Sequence, residues 1–265
     1  VTTLSFNPSA TLVDTQIVSL AFKGQDDAIK LVASCNIASI TAAEFLLSQS
    51  TEKARPEYVA LPVTRYSGLE AEGLEFDNER WGNKKWAKSS YRKTDQFVID
   101  FGTDFPIFLE YGNRSMSTII NSRRKQFYRF CISHLDKSKQ KYLLKRFEYL
   151  CQQEVSCIPL TKEIGNLGLE AMKQFLTEHN PKANIKNTVN DILIAATARV
   201  KNLTLVSRDN LLNRFAGSFF GGDMVSSGPW LRITFDGTLK TRRKMSESKG
   251  YLNSSWRVKV LRGRD

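Results

Sequence analysis

The stretch from Asn187 to Phe215 reads NTVNDILIAATARVKNLTLVSRDNLLNRF, and its texture changes twice. Ile192, Ala195, Ala196 and Arg199 keep the three-and-four spacing of an amphipathic helix. LTLVS (203–207) then packs β-branched and aliphatic residues into a short run typical of a buried strand, and it closes on Asp209 ahead of another short helix. Helix, buried strand and helix in such quick succession are the units of a parallel sheet covered by helices on both faces.

The same grammar recurs upstream. TLV (11–13) is an apolar strand that ends at Asp14 and is followed by TQIVSLAF, with Ile17, Val18 and Leu20 at helical spacing. Asn36 to Ile40 leads into TAAEFLLSQ, where Thr41 and Glu44 stand at capping-box spacing, which puts Glu44 in a helical first turn. SCIPL (156–160) reads as another buried strand, with a helix from about 161 to 179 carrying Ile164, Ala171 and Phe175. Residues 115 to 152 are helical in texture, with Tyr142, Leu143, Phe147 and Leu150 on one face. The expected fold class is therefore α/β, with a mainly parallel central sheet flanked by helices.

Two parts break this rhythm. Between 51 and 113, Pro and Gly punctuate the chain, and QFVIDF, GTDFP and IFLEY predict a hairpin. Beyond Ala216, LRITF and WRVKV alternate like strands around a basic, Ser-rich segment. The expected organisation is a core domain of residues 1–50 and 114–216, an insertion over 51–113 and a basic C-terminal extension over 217–265. No internal repeat is present.

Composition bounds the function classes. The 265 residues are 41% hydrophobic and 11% aromatic, which suits a globular chain rather than a disordered one. No run reaches the roughly 18 to 20 apolar residues that span a bilayer, and VTTLSFNPSATLVDT lacks the order of a secretion signal, so a cytoplasmic location and no membrane partner are expected. Cys35, Cys131, Cys151 and Cys157 form no CxxC pair and only His134 and His179 accompany them, so zinc is not expected and the thiols read as buried and free. The two histidines lie away from any acidic landmark and read as structural, and SFFGGDM (218–224) reads as a turn rather than a nucleotide loop. The formal net charge of +12, from 39 Lys and Arg against 27 Asp and Glu, favours a polyanionic partner.

Four acids then share one address. In a parallel α/β sheet, ligand sites gather outside the carboxyl ends of the strands. Asp14 ends the first strand, Asp209 follows LTLVS, and Glu44 and Asp191 are expected in helical first turns next to strands or loops. Each has a bland reading: Glu44 with Thr41 and Asp191 with Thr188 fit capping boxes, and Asp209 fits an N-cap. Taken together they predict an acidic cluster. Crowded carboxylates either take up protons or bind a cation, and oxygen donors without His or Cys suit Mg²⁺ or Mn²⁺.

The order ATLVDT, ITAAEFL, NDILIAATA and LTLVSRDNLLNRF resembles the PIN-domain nucleases, most of all the VapC-type toxin ribonucleases, and IPLTKEI (158–164) resembles the segment that precedes the last two motifs. The resemblance covers about residues 10–50 and 135–216. It implies a PIN-like three-layer domain and an endoribonuclease, with Asp14, Glu44, Asp191 and Asp209 as catalytic residues and ligands of one or two Mg²⁺ or Mn²⁺ ions. It also implies Thr15 and Ser207 as supporting hydroxyls and a homodimer, and it leaves room for an antitoxin or inhibitor protein as partner.

Nucleic acid, with RNA foremost, is the expected substrate. In RWGNKKWAKSSYRK (80–93), Arg80, Lys84, Lys85 and Lys88 are interleaved with Trp81 and Trp86, which suits phosphate contact beside base stacking. The tail, with Arg242, Arg243 and Lys244, suits backbone contact. Alternatively, the strands of the insertion and the tail pair into a structural subdomain. Two other functions fit the same residues: a non-catalytic RNA-binding PIN module, and a structure-specific DNA nuclease, since nothing in the sequence reads a 2′-hydroxyl.

Overall fold

The computed structural model describes residues 7–46, 96–100, 108–111, 113–133, 135–179, 185–227, 229–235 and 257–261. A single 3₁₀ turn, Pro8–Ala10, leads into β1 (Thr11–Val13), α1 (Thr15–Phe22), α2 (Asp26–Val32), β2 (Asn36–Ala38) and α3 (Ser39–Leu46). The hairpin β3 (Gln96–Asp100) and β4 (Phe108–Tyr111) follows, then α4 (Asn113–Asn121), α5 (Lys125–Cys131) and α6 (Lys137–Gln152). The chain continues as β5 (Ser156–Ile158), α7 (Lys162–Glu178), α8 (Ile185–Val200), β6 (Thr204–Ser207), α9 (Asn210–Phe220), β7 (Gly222–Ser227), β8 (Trp230–Phe235) and β9 (Arg257–Leu261).

The central sheet is mixed, with six strands in the order β5-β2-β1-β6-β8-β7. The first four are parallel, and β8 and β7 add an antiparallel margin. Because side chains alternate across a strand, neighbours on β1 and β6 serve opposite cores. Leu12 and Leu205 join the helices α7, α8 and α9, whereas Val13 and Val206 join α1 to α6. The result is helix, sheet, helix, the three-layer α/β arrangement.

Short polar devices fix the helix starts. Asp136 accepts from the Lys139 N–H ahead of α6, and Thr161 from the Ile164 N–H ahead of α7. Helices α7 and α8 cross at Gly168, where a Cβ would come within 2.5 Å of Leu193 Cδ2. No described helix is long and apolar enough to cross a membrane.

The margin strand β5 is closed by side chains. Asn121 donates to the Cys157 carbonyl (2.9 Å) and accepts from its N–H (2.7 Å), and Asn113 does the same for Leu160 (3.0 and 2.8 Å). Two amides on α4 thus imitate a neighbouring strand and cover groups that would otherwise invite another chain. Asn113 also accepts from the Ser39 hydroxyl. On the other side of the insertion, the last carbonyls of α3 are held as well: Arg146 donates to Phe45 O (2.5 Å) and Tyr128 to Leu46 O (3.4 Å).

One expectation about the added parts changes, and the alternative pairing of insertion with tail is present. The boundary at 217 falls inside α9, and β7 and β8 belong to the central sheet, so residues 217–235 are core rather than appendage. The predicted hairpin is present, and its strand β3 pairs antiparallel with β9 from the tail, giving a separate sheet in the order β4-β3-β9. Insertion and tail therefore meet through their strands.

Candidate functional site

The parallel strands meet a switch point between β1 and β6. From β1 the chain builds β2 and β5 on one side, then returns to lay β6 on the other, and crevices in such sheets open at the carboxyl ends beside that reversal. The backbone pairing runs right up to it, since the Asp14 N–H donates to Val206 O at 3.2 Å. Asp14 then turns out of the strand as the N-cap of α1, its carboxylate accepting from the Gln16 N–H at 2.5 Å.

Ser207, the last residue of β6, donates its hydroxyl to the other Asp14 oxygen and accepts from the Asp209 N–H at 3.2 Å. Thr15 donates to one oxygen of Glu44, which α3 carries in its second turn, and the Asn190 amide donates to the other. Glu44 is thereby held at both oxygens by partners from α1 and α8. Thr15 and Ser207, expected as supporting hydroxyls, are the donors in two of these hydrogen bonds.

Burial pushes the Asp14 carboxyl above the ordinary carboxylate range. The hydrogen bonds from Ser207 and Gln16 pull it down, repulsion from Glu44 adds to the rise, and the Ile17 N–H opposes it. Asp14 is thus buried within reach of the Glu44 charge. Asn190 is 2% exposed, and its Oδ1 has no hydrogen-bond partner among the described residues. An orphaned buried carbonyl costs free energy, and this one belongs to an amide already turned toward Glu44.

Asp191 follows Asn190 on α8 and is half-buried; Asp209 is half-buried just ahead of α9, with its carbonyl accepting from the Asn213 N–H at 3.0 Å. Neither Glu44 nor Asp191 lies in a helical first turn as expected. Helix α3 starts at Ser39 because β2 ends at Ala38, and α8 starts at Ile185. No acidic residue occupies the first turn of either helix, so neither capping box exists, and the Thr41 hydroxyl is buried without a partner among the described residues.

Among the described residues, no three Asp, Glu, His or Cys side chains form a group that could hold a metal ion. Asp14 and Glu44 are the two acids brought together, through Thr15, which follows Asp14 and donates to Glu44. Arg80, Trp81, Lys84, Lys85, Trp86, Lys88, Arg242, Arg243 and Lys244 lie outside the described residues, as does His134. His179 packs its ring against Phe175 and Phe215. All four cysteines are free, and burial pushes the Cys35 thiol up to about 12.

No protein-family model, curated protein or solved structure matches the chain. The donors themselves remain the guide to chemistry. Two carboxylates, two hydroxyls and an amide oxygen are all hard ligands, and a small divalent cation that keeps part of its water shell needs only one or two carboxylates from the protein. These donors are of the class that such an ion takes, and none of them is a soft one. Asn190 escaped the sequence reading because an amide beside an acid carries no motif of its own; only its burial and its bond to Glu44 single it out.

Proposed function

We propose that the chain is a metal-dependent nuclease of the PIN type that hydrolyses RNA. The reading rests above all on one observation, the buried Asp14 at the switch point of the sheet with Glu44 tied beside it through Thr15, the residue that follows Asp14. Mg²⁺ or Mn²⁺ bound there would supply a Lewis acid for the phosphodiester and a water of lowered pKa as nucleophile. Asp14 and Glu44 would hold it, with Asp191, the residue after Asn190, and Asp209, whose N–H meets Ser207, as further acids on the elements beside them.

The chain's own residues do the positioning. Ser207 keeps the Asp14 carboxylate at the end of β1, and the Gln16 N–H fixes its other oxygen. Thr15 and Asn190 stop Glu44 from rotating away, so little ordering entropy remains to be lost when the site is charged. The formal charge of +12 draws a polyanion toward this acidic spot, which it would otherwise avoid.

A non-catalytic RNA-binding module is the second reading, favoured by the lack of any three-acid group among the described residues. One experiment separates them. Purified protein is incubated with total RNA and with single-stranded DNA in Mn²⁺, Mg²⁺ or EDTA, alongside Glu44→Gln and Asp191→Asn, and the ends are mapped. The nuclease reading expects metal-dependent cuts in RNA that both variants lose. Binding without cutting supports the module, cuts confined to DNA change the substrate class, and cuts that persist in EDTA or in Glu44→Gln overturn the site.

A further inference from the structure

Residues 122–146, SRRKQFYRFCISHLDKSKQKYLLKR, carry nine Lys and Arg against the single acid Asp136. They form α5, the corner after it and the first half of α6. Tyr128, Cys131, Ile132, Leu135, Leu143 and Phe147 point into the core, which turns the remaining positions outward. Phe130 is 71% exposed on α5 within this basic stretch, and Tyr142 is 49% exposed on α6. An exposed aromatic face set among cations is the arrangement on which a base can stack while its phosphates meet the charges.

Three of the nine cations are in ion pairs with described residues. Arg123 pairs with Glu154, Lys125 with Glu148 and Lys139 with Asp136. Arg146 turns inward, over the rings of Phe45 and Tyr142. Arg124, Arg129, Lys137, Lys141 and Lys145 are exposed and make no ion pair with the described residues. Lys137, Lys141 and Lys145 recur at every fourth position, so they stand in one stripe about 5 to 6 Å apart, a spacing comparable with that of successive phosphates in an extended strand.

The stripe also has a direction. The end of α6 lies at the amino edge of the sheet, where the Ser34 N–H donates to Gln153 O and the Ser156 N–H to Cys35 O. The start of α6, with Lys137 and Lys141, therefore lies toward the carboxyl edge, the side on which Asp14 sits. Tyr128 and Arg146 grip the end of α3, immediately after Glu44. One helix separates the basic surface from the carboxylate pair.

We propose that the outer face of α5 and the first half of α6 binds single-stranded nucleic acid, with Lys137, Lys141 and Lys145 on the phosphates and Phe130 stacked on a base. It rests on the nuclease reading for its substrate, but it is tested without catalysis. Binding of a fluorescein-labelled single-stranded RNA of about twenty nucleotides is measured in EDTA against salt, for the wild type, for the triple variant Lys137→Gln, Lys141→Gln, Lys145→Gln, and for Phe130→Ala. All the changed residues are exposed, so melting temperatures should match the wild type.

The triple variant should bind more weakly, and its log–log salt slope should drop by about two, at roughly 0.7 counterions for each single-strand phosphate lost. Phe130→Ala should weaken binding roughly 5- to 100-fold with the slope kept. Wild-type affinity and slope in both variants overturn the surface. So does equal competition by polyglutamate or by anionic vesicles, which would mark a general anion surface rather than one that stacks bases. A trinucleotide offered with Mg²⁺ reports on the carboxylates alone. If the wild type never cuts it, the nuclease reading fails while the EDTA binding result still decides the surface.

Discussion

Changing Asn190 to Asp would put a second carboxylate against Glu44, where the structure has an amide donating a hydrogen bond. The lost bond to a charged acceptor costs about 1.5 to 3 kcal/mol. The new repulsion at roughly 4 Å would add about 4 kcal/mol at an effective dielectric near 20. The pair can escape by taking up one proton, which near neutral pH costs about 1.4 kcal/mol for each of roughly three units above an ordinary carboxyl pKa. Proton uptake also restores a donor, so the net penalty is capped at about 4 kcal/mol, with about 2 kcal/mol as the lower bound. In a chain of this size each kcal/mol lowers the midpoint by about 2 to 4 °C, so the variant should melt about 5 to 15 °C below wild type in EDTA near pH 7. Because the penalty is proton-linked, the gap should shrink to a few degrees near pH 5. Millimolar Mg²⁺ should close it as well, since the added carboxylate is one more hard donor. Thermal unfolding followed by circular dichroism under these conditions checks each step. A variant that melts within a degree of wild type in EDTA at neutral pH would show that the amide does not face Glu44.

Burial raises the Asp14 carboxyl above its ordinary value of 3.8, so its contribution to stability is present below that pH and is lost as pH rises through the higher folded value. Asp14→Asn, which has nothing to ionise, should therefore gain in stability on wild type from about pH 4 toward neutrality while losing metal-dependent cleavage; superimposable stability curves would refute the burial argument. Gly168→Ala gains up to about 1 kcal/mol in helix propensity but meets Leu193, itself 1% exposed, so urea denaturation should show a net loss of about 1 to 2 kcal/mol with Mg²⁺ binding unchanged. A stabilised alanine variant would mean that α7 and α8 do not cross tightly there.

The sequence made the parallel half of the sheet readable because β1, β2, β5 and β6 are short buried runs, each followed by a helical period. It also brought Asp14 and Ser207 to one place, since both end adjacent strands. Helix starts were less legible. A capping-box spacing at Thr41 and Glu44 is a local signal, and it lost to tertiary burial, which extends α3 back to Ser39 and leaves Thr41 inside. The short helix α2 and the membership of β8 in the central sheet carried weak signals, because β8 alternates like an edge strand yet pairs with β6. Asn190 and the basic face of α5 and α6 needed coordinates, for burial and outward direction are not written in residue type alone.

The insertion leaves the body at Leu46 and returns at Asn113, and both thresholds are bolted down by side chains: Arg146 and Tyr128 at the exit, and Ser39 and the Leu160 backbone at the return. Glu44 stands just two residues before the exit, yet a pull or a change of length beyond that point meets those anchors before it reaches the carboxylate. The body thus works as a socket. Additions to the segment between the two thresholds meet these anchors before they reach the acid next door, which makes that segment a natural place for this scaffold to gain a binding specificity.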